Sequence, residues 1–248
     1  LWIGTFQNGV TYNSLNPKKI YSFLPLIGAK SGKYISSVFY HNENIWIGTM
    51  DKGLWRYDTK NGSYAREKGI TSRSILCFFY DAKSNSYYAG GDQGFYILDK
   101  SKNWKKLLDK TVRSICTDKF GRLWLATWQG ILIFTPSTEN LVIVTEKNGL
   151  SSNMGYVLLQ ERGSQTIWCG TIGGGLNKIS YTTNGISSIK NYTYKENGRG
   201  ISNNHIWCLY EDKKGNIWAG TDAGLNFINK QQQISQLSLP EIANIKIT

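Results

Sequence analysis

Few side chains in this sequence are equipped for covalent chemistry. It holds two histidines, His41 and His205, and four cysteines, Cys77, Cys116, Cys169 and Cys208. No Cys-x-x-Cys pair occurs, and neither histidine has ligand-type neighbours at a metal-binding spacing, so no metal centre is expected. No Ser-His-Asp arrangement is visible, and no catalytic residue or cofactor is expected. A lyase acting on a uronate would need a base and a cation against the carboxylate, and His205 with Arg113 would be that pair. A lone histidine opening a strand is more ordinarily structural.

A richer set suits binding. Arg73, Arg113, Trp128, Gln129, Asn153, Asn204 and His205 fall in loop positions, with Asp51, Asp92 and Asp222 in companion loops. Arginine, amides, aspartate and a loop tryptophan are carbohydrate-site chemistry: polar hydrogen bonds around a stacking ring. The arginines favour a carboxylated or sulfated sugar through charge-assisted bonds. Trp128 follows Thr127 into a turn and is the stacking candidate. The opposing reading is that the Ser and Asn residues only cap turns and open strands.

The elements that must carry these loops announce themselves by repetition. "LWIGT" at 1–5 returns as "IWIGT" at 45–49, "LWLAT" at 123–127, "IWCGT" at 167–171 and "IWAGT" at 217–221, with a decayed "YYAGG" at 87–91. The marker aromatics, Trp2, Trp46, Tyr88, Trp124, Trp168 and Trp218, lie 44, 42, 36, 44 and 50 residues apart. A period of about 43 with turn signals inside each unit predicts β-propeller blades. Strand-like alternation dominates, and helical amphipathic patterning is not seen.

Each unit reads as four short antiparallel strands. In the last, "HIWCLYED" (205–212) is the inner strand and "IWAGT" the second. "LNFIN" (225–229) is the third, and a weaker outer strand lies near Ile234–Leu237. Alternation puts Trp46 and Gly48 on one face and Ile47 and Thr49 on the other. Large beside small lets twisted sheets interdigitate, so these tryptophans are expected in the core. The four cysteines, inside strands, are expected to be buried free thiols. Outer-to-inner loops and second-to-third turns leave a blade on one face, which would gather the candidate residues near a channel mouth. The opposite-face hairpins, such as "DKFGR" and "DKKGN", read as mostly solvated.

The sequence therefore predicts an all-β propeller of four-stranded antiparallel blades. About six repeats are expected over residues 1–238, as part of a seven-bladed ring. The first lacks its inner strand, and the chain, opening at Leu1, reads as a piece of a longer one. Residues 239–248 read as a linker or the start of another module. The formal charge of +12, from 29 Lys+Arg against 17 Asp+Glu, permits an acidic partner. Its scattering gives no nucleic-acid tail or recognition helix, so direct nucleic-acid contact is not expected. No apolar run approaches the roughly 18 residues that span a bilayer.

"GLSSN…IWCGTIGGGLNKIS" (149–180) and "GISNNHIWCLYEDKKGNIWAGTDAGLNFIN" (200–229) resemble the two-component regulator propeller repeat. The resemblance implies the periplasmic sensor region of a Bacteroidetes hybrid two-component regulator, recognising an oligosaccharide without catalysis. It further implies an adjacent propeller, a following immunoglobulin-like module at "LPEIANIKIT", a homodimer, and a membrane helix and histidine kinase elsewhere in the chain. The alternatives are a polysaccharide lyase or glycoside hydrolase propeller, or a scaffold whose ligand contacts lie elsewhere. Two copies depart from the pattern: Tyr88 and Gly91 replace Trp and Thr in "YYAGG", and Ala126 replaces Gly in "LWLAT".

Overall fold

Short alternating segments broken by Gly, Asn and Asp can only satisfy their backbones by pairing with the next segment, and they do so throughout. The computed structural model describes residues 2–5, 9–13, 20–22 and 34–237. Strands β1 (Trp2–Thr5), β2 (Gly9–Asn13) and β3 (Ile20–Ser22) form a three-stranded sheet. Five four-stranded antiparallel blades follow. Blade one is β4 (Ile35–His41), β5 (Asn44–Thr49), β6 (Leu54–Asp58) and β7 (Tyr64–Arg66). Blade two is β8 (Ile75–Asp81), β9 (Ser86–Gly91), β10 (Gly94–Leu98) and β11 (Trp104–Leu108). Blade three is β12 (Ser114–Thr117), β13 (Leu123–Thr127), β14 (Gly130–Thr135) and β15 (Asn140–Val144). Blade four is β16 (Gly155–Gln160), β17 (Thr166–Thr171), β18 (Leu176–Thr182) and β19 (Gly185–Tyr192). Blade five is β20 (Ile206–Glu211), β21 (Ile217–Thr221), β22 (Gly224–Ile228) and β23 (Ile234–Leu237).

Among the described residues five of the about six expected repeats are complete blades. The remaining repeat is the three-stranded sheet, with the Trp2–Thr5 strand at its edge. The expected linker at 239–248 lies outside the described residues. The chain divides into two compact units, Leu1–Arg113 and Ser114–Thr248. The first holds the three-stranded sheet and blades one and two, and the second holds blades three to five.

Trp46, Trp124 and Trp168 sit between sheets, as their alternation requires. Trp46, Trp124 and Trp168 are 5%, 0% and 2% exposed. Trp46 and Leu54 of blade one meet Ile75, Ala89 and Tyr96 of blade two. Trp124 and Ile133 of blade three meet Ile167, Cys169 and Tyr181 of blade four. Trp168 and Leu176 of blade four meet Ile206, Ile217 and Ala219 of blade five. A Cβ on Gly170 would lie 2.6 Å from Ile206 Cγ2, and one on Gly48 would lie 2.7 Å from Ile75 O. The motif glycine therefore makes room for the first inner-strand residue of the next blade.

The two departures are each offset by a neighbour. Blade three carries Ala126 instead of glycine, and blade four then places Gly155 where Ile75 and Ile206 stand in their blades. A Cβ on Gly155 would be 3.4 Å from Ala126 Cβ, so the extra methyl has taken the space an isoleucine would fill. In blade two Gly91 replaces the motif threonine, whose hydroxyl elsewhere accepts a turn N–H, as Thr127 Oγ1 does from Gln129 N (3.0 Å). Ser72 occupies the vacated space and its Oγ accepts from Gln93 N at 3.0 Å.

The opposite-face hairpins are not merely solvated. A buried indole N–H needs an acceptor, and the preceding hairpin supplies a carboxylate. Trp124 Nε1 donates to Asp118 Oδ2 (3.0 Å), Trp168 Nε1 to Glu161 Oε2 (2.7 Å) and Trp218 Nε1 to Asp212 Oδ2 (3.1 Å). Asp118, 2% exposed, also accepts from the N–H groups of Phe120 and Arg122 and pairs with the Arg122 guanidinium at 2.6 Å. Trp46 follows the tighter Asn42–Glu43 turn, both residues at positive φ, and its Nε1 is buried with no acceptor among the described residues.

The cysteines divide. Cys116 and Cys169 are buried and Cys77 half-buried, but Cys208 is exposed, contrary to expectation. Cys208 is on the same face of blade five as Trp218, and no blade among the described residues of its unit packs on that face. Burial pushes the thiols of Cys77 and Cys169 up to about 12, and raises that of Cys116 further. With a thiol-reactive dye at pH 8, Cys208 is expected to label in the native chain and the other three only in denaturant. Trp124→Ala is expected to cost about 3–5 kcal/mol in urea unfolding. Trp124→Phe, which keeps a smaller aromatic ring and removes the donor to Asp118, is expected to cost less, about 1–3 kcal/mol.

Candidate functional site

The loops expected to carry a site are held by backbone rather than by side-chain chance. The Gly53 N–H donates to Arg73 O (2.7 Å), Gly130 N–H to Asn153 O (2.7 Å) and Gly175 N–H to Asn204 O (2.9 Å). Three outer-to-inner loops are thereby clamped to the second-to-third turn of the preceding blade. The motif threonines close those turns, with Thr49, Thr127, Thr171 and Thr221 Oγ1 donating to the O of Gly53, Gly130, Gly175 and Gly224 at 2.8–3.0 Å. Third-strand residues pin the loops from below. Asn177 Oδ1 and Asn226 Oδ1, both fully buried, accept from Ser151 N (2.9 Å) and Ser202 N (2.8 Å). Tyr96 OH does the same for Ser72 N at 3.0 Å.

Two of the sequence candidates are committed to this framework. Asn153 Oδ1 accepts from Glu146 N (2.9 Å), and Asn204 Oδ1 from Tyr194 N (2.7 Å), so their carbonyl ends shape loops. Trp128 and Gln129 are exposed on the blade-three turn, and Arg73 is exposed on its loop. Asp92 Oδ1 accepts from Ser74 N at 3.3 Å. Arg113 is half-buried, and its charge opposes the burial effect on the Cys77 thiol. Arg73, Arg113, Asp51 and Asp92 belong to the first unit, and the other candidates to the second.

The inner strands add residues that the alternating pattern concealed. A bulge interrupts pairing at the second inner-strand residue: between Ile35 and Ser37, Ile75 and Cys77, Gly155 and Val157, and Ile206 and Cys208. A bulge re-aims the extra side chain. The residues so placed are Ser36, Leu76, Tyr156 and Trp207. In blade three Ser114 pairs with Ala126 as Cys208 pairs with Gly220, so Arg113 takes the register position of Trp207.

In blade five this device assembles a cluster. Trp207 is 43% exposed, and its Nε1 donates to Asp222 Oδ1 at 2.5 Å. His205 Nδ1 lies 2.7 Å from Asp222 Oδ2, and Asn203 Oδ1 accepts from His205 N at 2.7 Å. Tyr156 of blade four stands perpendicular to the indole, with ring centroids 5.0 Å apart. His205 and Asp222 were legible as loop residues and Tyr156 as the last residue of the loop at 149–156, whereas Trp207 read as plain strand. A cleft of about 510 Å³ lies elsewhere, along the outer strands β15 and β19, lined by Asn140, Val142, Val144, Thr183 and Gly185. Among the described residues no group of His, Cys, Asp and Glu is arranged to hold a metal ion.

Hydrogen bonds from Trp207 and His205 hold the Asp222 carboxyl below its usual range. Its ionised form is therefore favoured by folding. That contribution is present above the unfolded carboxylate value and is lost as pH falls through the lower folded one. Tryptophan fluorescence should show an acid step with a midpoint below about 3.9, the ordinary aspartate value. The step should disappear in Asp222→Asn.

Antiparallel four-stranded sheets stacked through a repeated second-strand aromatic, with loops clamped to turns, define β-propeller blades. Residues 106–129 and 200–223 match the family described as two component regulator propeller, and the chain carries that repeat. These stretches take in the outer-to-inner loop, the inner and second strands and the following turn, and contain Arg113, Trp128, Asn204, His205, Trp207 and Asp222. The chain is 23% identical to histidine kinase P4 of Formosa agariphila, over 62% of this chain and 12% of that protein. In fold it is similar to the extracellular domain of a hybrid two-component system of B. thetaiotaomicron. That match has a TM-score of 0.57 and 19% identity, and covers 95% of this chain and 39% of the other. An ancestral GH74 enzyme is also similar in fold, with a TM-score of 0.64 and 12% identity over 82% of this chain and 31% of the enzyme. The chain thus spans about an eighth of the kinase relative and two fifths of the two-component extracellular structure. Among the described residues no helix is long and apolar enough to cross a membrane.

Proposed function

We propose that this chain is part of the noncatalytic sensor propeller of a hybrid two-component histidine kinase, recognising an oligosaccharide in the periplasm and passing the signal across the membrane. The observation that carries this reading is the clamped loop-and-turn framework presenting polar and aromatic side chains: Arg73 in one unit, and Trp128, Gln129, His205 and Trp207 in the other. The propeller repeat and the likeness to a sensor's extracellular domain support it. Exposed Arg73 favours a carboxylated or sulfated sugar at its own loop. Signalling is a shift in placement between this propeller and its neighbours, biased by a ligand that binds one arrangement better. Those neighbours are a second propeller, an immunoglobulin-like module and, in a homodimer, a second copy.

A second reading has one observation in its favour. His205 is oriented by Asp222 through Nδ1, as an active-site base is oriented by a carboxylate. A propeller lyase or glycoside hydrolase would use such a pair.

The test is the melting temperature of the chain against neutral and acidic oligosaccharides, at low and high salt, with products followed by mass spectrometry. Stabilisation by an oligosaccharide that remains intact is expected. Any acidic-sugar component should weaken with salt and with Arg73→Ala. Shortened or unsaturated products would establish the enzyme reading instead, and no stabilisation by any sugar would remove the ligand class.

A further inference from the structure

We propose that Trp207, Tyr156 and Asp222 form a subsite for a neutral pyranose ring, an inference that rests on the oligosaccharide-sensor reading and names its contact. Unlike Trp46, Trp124 and Trp168, which fill the space between sheets, Trp207 is nearly half exposed and stands at the bulge between Ile206 and Cys208. Its ring is already fixed, since the indole N–H is held by Asp222 Oδ1. Little rotamer entropy remains to be lost when a sugar face stacks on it. Tyr156 meets the indole at 90°. The two rings thus make a floor and a wall, an apolar corner matched to the C–H face and edge of a pyranose.

The carboxylate sets the chemistry of the ligand. The Asp222 side chain is 44% exposed, and each of its oxygens accepts one hydrogen bond, Oδ1 from Trp207 and Oδ2 from His205. A carboxylate oxygen accepts more than one donor, so both can take sugar hydroxyls. The same charge repels a uronate or sulfate placed on the ring floor. The subsite therefore selects a neutral, hydroxyl-rich residue, even where arginines elsewhere favour an acidic one.

The test is calorimetric titration of the 248-residue chain with neutral tetrasaccharides (cello-, malto-, xylo- and mannotetraose) and with tetragalacturonate. At least one neutral probe should bind more tightly than tetragalacturonate. Its affinity should fall at least tenfold in Trp207→Ala and less in Trp207→Phe, with melting temperatures near that of the unmodified chain. Asp222→Asn should narrow the gap between neutral and acidic probes, because the repulsive element is gone. Neutral-sugar affinity unchanged in Trp207→Ala and Tyr156→Ala would overturn the subsite and leave the sensor reading standing. Tighter binding of tetragalacturonate would overturn the neutral preference. Binding of none of the probes would overturn the subsite together with the oligosaccharide reading.

Discussion

A tryptophan on the second strand of a blade brings one polar hydrogen with it, and blades three to five of this chain are organised around that hydrogen. Placing the indole between sheets gives the packing that holds neighbours together, but its N–H would be costly without an acceptor. The acceptor is a hairpin carboxylate six or seven residues earlier, at Asp118, Glu161 and Asp212. That carboxylate is made affordable by the hairpin's own N–H groups. Asp212 shows the balance: burial pushes its carboxyl up, yet bonds from Asn216, Trp218 and Lys214 outweigh this and bring it to about 2. Turn, strand and inter-sheet core are therefore one cooperative unit, not three independent choices.

The irregular blades show the same constraint met by exchange. Volume lost at one residue reappears at a neighbour: Ala126 with Gly155, Gly91 with Ser72. A packed interior has no spare methyl-sized space, so a substitution in one sheet is answered in the adjoining loop or sheet. Function within a common architecture can then differ through residues outside these pairs, and the bulge positions are such a set. Ser36, Leu76, Arg113, Tyr156 and Trp207 differ in size, charge and polarity at one register position, and none of them is fully buried.

Much of this could be read without coordinates. The spacing of the marker aromatics located every blade, and in the last repeat the second and outer strands fall at Ile217–Thr221 and Ile234–Leu237, as read. Strand alternation also placed Trp46 and Gly48 on one face and in the core. It failed where pairing departs from strict period two. Trp207 reads as one more apolar residue of "HIWCLY", because a bulge leaves no mark in composition. Cys208 was misjudged because burial depends on which sheet covers a face, not on the strand that carries the residue. Asn153 and Asn204 have the right chemistry for sugar binding, but only the structure shows their carbonyl ends spent on Glu146 N and Tyr194 N. Asp118 and its counterparts look like surface turn residues until the indole partners are seen.

The clamp between a loop and the preceding turn has a mechanical meaning. Gly130 and Gly175 each hold a carbonyl of the following loop, so a loop cannot lift without tugging the turn behind it. Load entering at the Asn204 loop reaches the blade-four turn directly, and reaches blade three only through blade four. Such a series behaves as links in a chain, each stiffened by its immediate neighbour alone. A guest gripping one loop would tighten the adjacent link most, and its grip would be felt as a gradient of rigidity fading from blade to blade.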